Sequence, residues 1–171
     1  MNIVLILGTA RAKRRSEAVA KVIESKLTAA GHEVSFVDVR AHVTSAVTVP
    51  PWGEGGADEV PTAWSNIAQQ AEVFIHVLPE YNRGYPGEWK LLVDSTNLNH
   101  FADKPAYLVG VSNGVFGGAR VVEHVQPVLW ELGQKLSGVL YISQAGKVFD
   151  TEGHITDEQT MKRVDEFIAK V

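Results

Sequence analysis

Four basic residues fall within five positions near the start of the chain, in Gly8-Thr9-Ala10-Arg11-Ala12-Lys13-Arg14-Arg15-Ser16, although the net charge of the whole chain is −4. They stand between an apolar run and a helical pattern, where backbone N–H groups and the helix dipole already favour an anion. Thr9 and Ser16 add hydroxyl donors, and Ser16 is also placed to cap the helix. Phosphate is the natural guest for such a loop. The plainer alternative is a solvated basic turn closed by a capping serine. The loop carries neither the Walker GK[ST] ending nor G-x-G-x-x-G, which argues against a nucleoside triphosphatase or an ordinary dinucleotide site.

Two further stretches could join it. In VLPEYNRGYPG, Pro79 stops an apolar run, and Glu80, Tyr81, Asn82 and Arg83 follow before Gly84 and Pro86-Gly87 return the chain into a helix. A tight turn there directs backbone N–H and C=O groups outward, a surface suited to the edge of a flat heteroaromatic ring. Tyr81 could pack on such a ring, whereas Glu80 and Asn82 could bind it or merely brace the loop. The third stretch, Ser112-Asn113-Gly114-Val115-Phe116-Gly117-Gly118, is glycine-rich before a helix and lets a ligand approach the backbone. A phosphate at the first loop and a planar ring between the other two describe flavin mononucleotide (FMN).

These loops need a scaffold that brings them together. Apolar runs at 3–7, 34–39, 73–78, 107–111 and 139–142 read as strands, separated by helical patterns near 16–29, 62–71, 87–98, 117–135 and 157–170. Pro127 predicts a kink or break in the fourth of these helices. Residues 40–62, rich in proline and glycine and containing Trp52, read as a long loop of the kind that is usually functional or mobile. Strands apolar on both faces and alternating with helices imply a parallel sheet covered on both sides. In such sheets ligands sit at the carboxyl ends of the strands near the switch in strand order, here the loops after strands 1, 3 and 4.

Bulk composition narrows the classes. At 171 residues, 45% hydrophobic and 21% charged, the chain reads as one soluble domain over residues 1–171. The absence of cysteine excludes disulfides and thiolate metal sites. No apolar run approaches the ~20 residues of a membrane span, and the start reads as a strand, not an export signal. A cytoplasmic location and no membrane or nucleic-acid partner are expected. The histidines show no metal-ligand spacing, and His76, inside an apolar run, reads as a hydrogen-bonded core residue.

In the order of the chain, GTARAKRRSEAVAKVI, LPEYNRGYPGEWKLLVDS and SNGVFGGARVVEHVQPVLWELG resemble three motifs of the NADPH-dependent FMN reductase family. These are its G-[ST]-x-R phosphate loop, its P-E-Y-N-x-[GS]-x-P-G-x-L-K-N-x-[IL]-D signature and its S-x-G-x-x-G-G-x-R segment. The resemblance implies an α/β, flavodoxin-like three-layer sandwich with strand order 2-1-3-4-5. It assigns the FMN phosphate to Thr9, Arg11, Arg14, Arg15 and Ser16. It assigns the flavin ring to Pro79, Glu80, Tyr81, Asn82 and Arg83 on one side and to Ser112, Asn113, Gly114 and Gly117 on the other. It implies NADPH or NADH as reductant, a small-molecule electron acceptor (a flavin, quinone, azo compound or metal oxyanion) and a homodimer or homotetramer. Trp89 and Leu91 replace the usual Leu and Asn of the second motif, which touches packing or a subunit contact more than the flavin. A flavodoxin-type carrier without its own NAD(P)H oxidation is the alternative; its loops are usually Ser/Thr-rich and its charge strongly acidic, unlike these.

Overall fold

The continuous apolar runs form the middle of the sheet, because a strand covered on both faces has no polar side to show. In this computed structural model, which describes residues 1–46, 48, 51 and 60–171, β3 (Val73–Pro79) is buried at every position and β1 (Asn2–Leu7) at all but its first. With β2 (Glu33–Asp38), β4 (Pro105–Val111) and β5 (Lys135–Ile142) they make a five-stranded sheet in the order β2-β1-β3-β4-β5. Every pairing is parallel. This is the flavodoxin-like doubly wound order, with its switch point between β1 and β3.

Helices cover both faces. On one side α1 (Arg15–Ala29) and α7 (Glu158–Ile168) contribute Val19, Ile23, Leu27, Val164 and Phe167 to a core against Leu5, Ile75 and Val109. On the other, α3 (Ala63–Gln70), α4 (Gly87–Val93) and α5 (Ala119–Glu131) pack Trp64, Trp89, Leu92, Val121 and Val125 against Ile6, Phe74 and Leu108. Each fully buried aliphatic or aromatic side chain of this kind contributes about 1.5–3 kcal/mol. The cores fix where the strand ends, and therefore the loops, must lie.

Local chemistry sets the boundaries. After α1, Gly31 takes φ +89°, and the N–H groups of Gly31 and His32 donate to the carbonyls of Thr28 and Leu27, the paired bonds of a Schellman stop. β2 ends at Asp38, one residue before the predicted end, because its carboxylate accepts from the Arg40 N–H at 3.0 Å and caps the short helix α2 (Val39–His42). Residues 40–42 are thus helical, not loop as the composition implied. The helix expected over 87–98 stops at Val93, where the Ser95 hydroxyl donates to the Leu92 carbonyl. Pro127 does not break its helix, which runs from Ala119 to Glu131. A short helix absent from the sequence reading, α6 (Ala145–Val148), follows β5. Trp52 lies outside the described residues.

Candidate active site

The register brings three loops to one place. Leu7 of β1 pairs with Val77 of β3, and Pro79 of β3 pairs with Val111 of β4, so the carboxyl ends of the three strands stand side by side. Above them opens a cleft of about 670 Å³, lined from loop 1 by Arg11 to Ser16, from loop 3 by Pro79, Glu80 and Tyr81, and from loop 4 by Ser112, Asn113, Gly114 and Phe116. Its size suits a small-molecule or cofactor site.

Loop 1 presents donors. Helix α1 begins at Arg15, so Arg14 is its N-cap residue and Ser16 its second helical residue; the expected serine cap is not formed. Among the described residues the backbone N–H groups of Arg15 and Ser16 donate to no carbonyl or side chain, as expected for a first helical turn. The Ser16 hydroxyl is also buried, at 1% exposure, and has no hydrogen-bond partner. A buried polar atom without a partner costs about 1–3 kcal/mol. These groups lie in the first turn of α1, where the helix dipole favours negative charge.

The adjacent arginines differ. Arg14 is buried, with its guanidinium on both Asp38 oxygens, on Glu17 and on the Thr9 carbonyl. Burial raises the Asp38 carboxyl, but the Arg14 guanidinium and the Arg40 N–H outweigh that and leave it below the usual carboxylate range. The Arg14 charge is therefore balanced inside the fold, and Arg14 acts as a brace. Arg15 and Arg11 are exposed and form no ion pair among the described residues, Arg11 lying 5.7 Å from the Tyr81 ring centroid. Lys13, also on the cleft wall, is exposed at φ +53°. Arg40 holds the loop from outside, donating to the carbonyls of Ala10 at 2.9 Å and Arg11 at 2.7 Å.

Loops 3 and 4 are cross-braced. Tyr81 and Gly84 exchange two backbone hydrogen bonds of 3.0 and 2.9 Å around Asn82 and Arg83, at φ +48° and +68°. This is the geometry of a type I′ turn. The Asn82 and Arg83 N–H groups at its tip donate to no acceptor among the described residues. Glu80 takes the bracing alternative: its carboxylate accepts from the Arg120 backbone N–H at 3.3 Å and lies 3.5 Å from the Arg120 guanidinium. Asn113 accepts from the Gly146 N–H at 3.0 Å, and the Ser112 hydroxyl donates to the Gly114 carbonyl at 3.2 Å. Thr9 sits beneath the floor, fully buried, and shares a 2.9 Å hydrogen bond with the Tyr81 hydroxyl that ties loop 1 to loop 3.

Of the residues singled out in the sequence, Arg11, Arg14, Arg15, Ser16, Pro79, Glu80, Tyr81, Ser112, Asn113 and Gly114 line the cleft, whereas Thr9, Asn82, Arg83 and Gly117 are not on its wall. Gly117 packs instead: a β-carbon there would stand 2.9 Å from Cβ of Tyr141. Lys13 and Phe116, from the loops quoted in the sequence, also line it, together with Ala12, Val111, Arg120 and Ala145. Phe116 is 61% exposed beside the Arg120 guanidinium. Ala145 carries no signal at all.

His76 has no part in the cleft. It is fully buried; its Nδ1 accepts from Trp89 Nε1 at 3.1 Å, which leaves Nε2–H to donate to Gln134 Oε1 at 3.3 Å. Burial lowers its pKa to about 4 against the opposing pull of Gln134, so it is neutral at pH 7. The bulky Trp89 of the second motif is thereby a packing feature, matched to a buried histidine. Among the described residues no group of His, Asp and Glu could hold a metal ion, and no helix is long and apolar enough to cross a membrane.

Known proteins resemble this chain in sequence and fold. A family profile described as "NADPH-dependent FMN reductase" matches residues 1–146. An NAD(P)H:quinone oxidoreductase from Solanum tuberosum is 28% identical over 86% of this chain and 76% of its own. The solved structure of FerB, a flavoenzyme NAD(P)H:(acceptor) oxidoreductase from Paracoccus denitrificans, superposes with a TM-score of 0.74 at 21% identity, over 98% of this chain and 93% of its own. A flavodoxin from Pseudomonas aeruginosa, solved as a point mutant, superposes with a TM-score of 0.60 at 20% identity, over 99% of this chain and 98% of its own. At such identities the two superpositions speak for the fold alone.

Proposed function

The chain belongs to the NADPH-dependent FMN reductase family, and from that premise we propose that it binds FMN in the cleft and uses NADPH or NADH to reduce a quinone or similar small acceptor. The observation that carries the reading is Ser16, whose buried hydroxyl lacks a partner beside the open N–H groups of Arg15 and Ser16. An anion there satisfies all three donors at once, and two of the three charges of Arg11, Lys13 and Arg15, none of them paired among the described residues, balance a phosphate dianion. Arg14 and Arg40 serve by holding the loop open.

FMN held by these loops would supply the redox chemistry, taking hydride from a nicotinamide and returning electrons to the acceptor. The protein's share is binding and orientation. The turn at Tyr81–Gly84 offers the tyrosine ring to one side of the ring system, and Ser112 to Gly114 offer backbone to the other. Phe116, exposed at the rim, shields the site from water. An electron carrier without NAD(P)H oxidation fits less well, because three unpaired cations exceed what one phosphate requires.

The test is a visible spectrum after soaking with FMN and desalting, followed by NADPH and then a quinone. A retained flavin band that bleaches with NADPH and returns with quinone is expected. A band that neither NADPH nor NADH bleaches would establish the carrier, and no binding in an FMN fluorescence titration would overturn the cofactor assignment.

A further inference from the structure

Arg83 is held where an arginine is least at ease. At φ +68° it occupies the second central position of the turn, and Asn-Gly is the preferred pair for that geometry because glycine has no β-carbon to strain it. Asn82, at φ +48°, is of a type that tolerates the left-handed region. Arg83 is not. Its side chain offers the fold nothing in return: it is exposed and forms no hydrogen bond or ion pair among the described residues. A residue that strains the backbone and packs against nothing is a candidate for function.

Its position says which function. Arg83 is not on the cleft wall, but Tyr81, two residues earlier, is, and the Arg11 guanidinium lies on that same tyrosine ring. Arg83 thus adds a further cation beside the cleft, two residues past Tyr81 and off the wall that Ser16 lines. The chain as a whole is acidic at −4 and repels anions, so local cations at the mouth decide whether one enters.

We infer that Arg83 recognises an anionic group on the second ligand that meets the bound cofactor, and does not bind the cofactor itself. The group is either a phosphate of the nicotinamide nucleotide or an acid substituent on the electron acceptor. The inference rests on the FMN reading above and moves Arg83 out of the flavin contacts that the family resemblance gave it.

Three variants of the FMN-loaded protein test it: Arg83→Gly, which removes charge and strain; Arg83→Ala, which removes charge and keeps strain; and Arg83→Lys, which keeps both. Arg83→Gly and Arg83→Ala are expected to raise KM about 5–10-fold at low salt, with kcat little moved and the difference shrinking at high salt. Arg83→Lys holds near the parent. Only Arg83→Gly raises Tm, by about 2–4 °C. Assays with NADPH, NADH, an acid-substituted quinone and a neutral quinone identify which partner carries the anion. Unchanged KM for all four overturns the inference alone, as does an FMN affinity that falls with Arg83→Ala. A parent protein that binds no FMN overturns the cofactor reading and this one with it.

Discussion

In the loop after β1, the Arg15 and Ser16 N–H groups and the buried Ser16 hydroxyl meet no acceptor among the described residues, whereas the loop after β4 is braced from within. There Ser112 donates to Ile142 and Gly114, its carbonyl accepts from Ala145, and Gly114 accepts from Gln144. Both loops border one cleft. The first carries unmet donors, which cost stability until an anion arrives; the second is a rigid wall, braced by hydrogen bonds at Ser112 and Gly114. The difference separates the part of the site built for a ligand from the part built to hold still.

The largest break in that comparison should come from the rigid wall. Gly118 stands at φ +82°, and a β-carbon there would lie 2.7 Å from the Val111 nitrogen and 2.9 Å from the Gly110 carbonyl carbon. Both obstacles are backbone and cannot swing aside. Gly118→Ala is expected to cost about 2–4 kcal/mol through overpacking and left-handed strain together. Urea unfolding measures it, and an unchanged midpoint would show that the loop is softer than its packing implies.

The two neighbouring arginines give the next contrast. Arg14→Ala strips Asp38 of its guanidinium; because Asp38 is partly open to water, the expected loss is about 1–3 kcal/mol, less than for a fully buried pair. Arg15→Ala is expected to leave stability within about 0.5 kcal/mol and to weaken FMN binding about 10–100-fold. Fluorescence titration and thermal unfolding of both variants separate the roles. Equal behaviour of the two would remove the distinction between brace and ligand contact.

That pair also marks where sequence reading stops. The runs at 3–7, 73–78 and 107–111 are legible as central strands because burial on both faces leaves no polar alternation. Gly31 is legible as a helix stop because few residues take its backbone angle. Arg14 and Arg15 are indistinguishable by type, and which one turns inward depends on Asp38, placed 24 residues later by the pairing of β2 with β1. The serine cap fails for a similar reason: the helix starts at Arg15, two residues before a Ser16 cap would place it, and carries Ser16 into the interior. The four residues of α6 are too few to show any period, so Ala145 could not be found. Trp89 reads as a departure from its motif until the fold sets it against His76.

The smallest effect is the sharpest, because its sign reverses with the ligand. In the free protein the Ser16 hydroxyl is buried without a partner, so Ser16→Ala removes an unmet polar atom and should stabilise the fold by up to about 1 kcal/mol. With FMN present the same hydroxyl becomes a donor to the phosphate, and its loss should weaken binding about tenfold, or about 1.4 kcal/mol. Linkage then predicts that FMN raises the Tm of the parent protein more than that of the variant at equal ligand concentration. The two melting curves should therefore differ in one order without FMN and draw together or cross when it is added. A variant less stable than the parent in both conditions would mean that Ser16 is a structural residue, and that the open donors of loop 1 await something other than a phosphate.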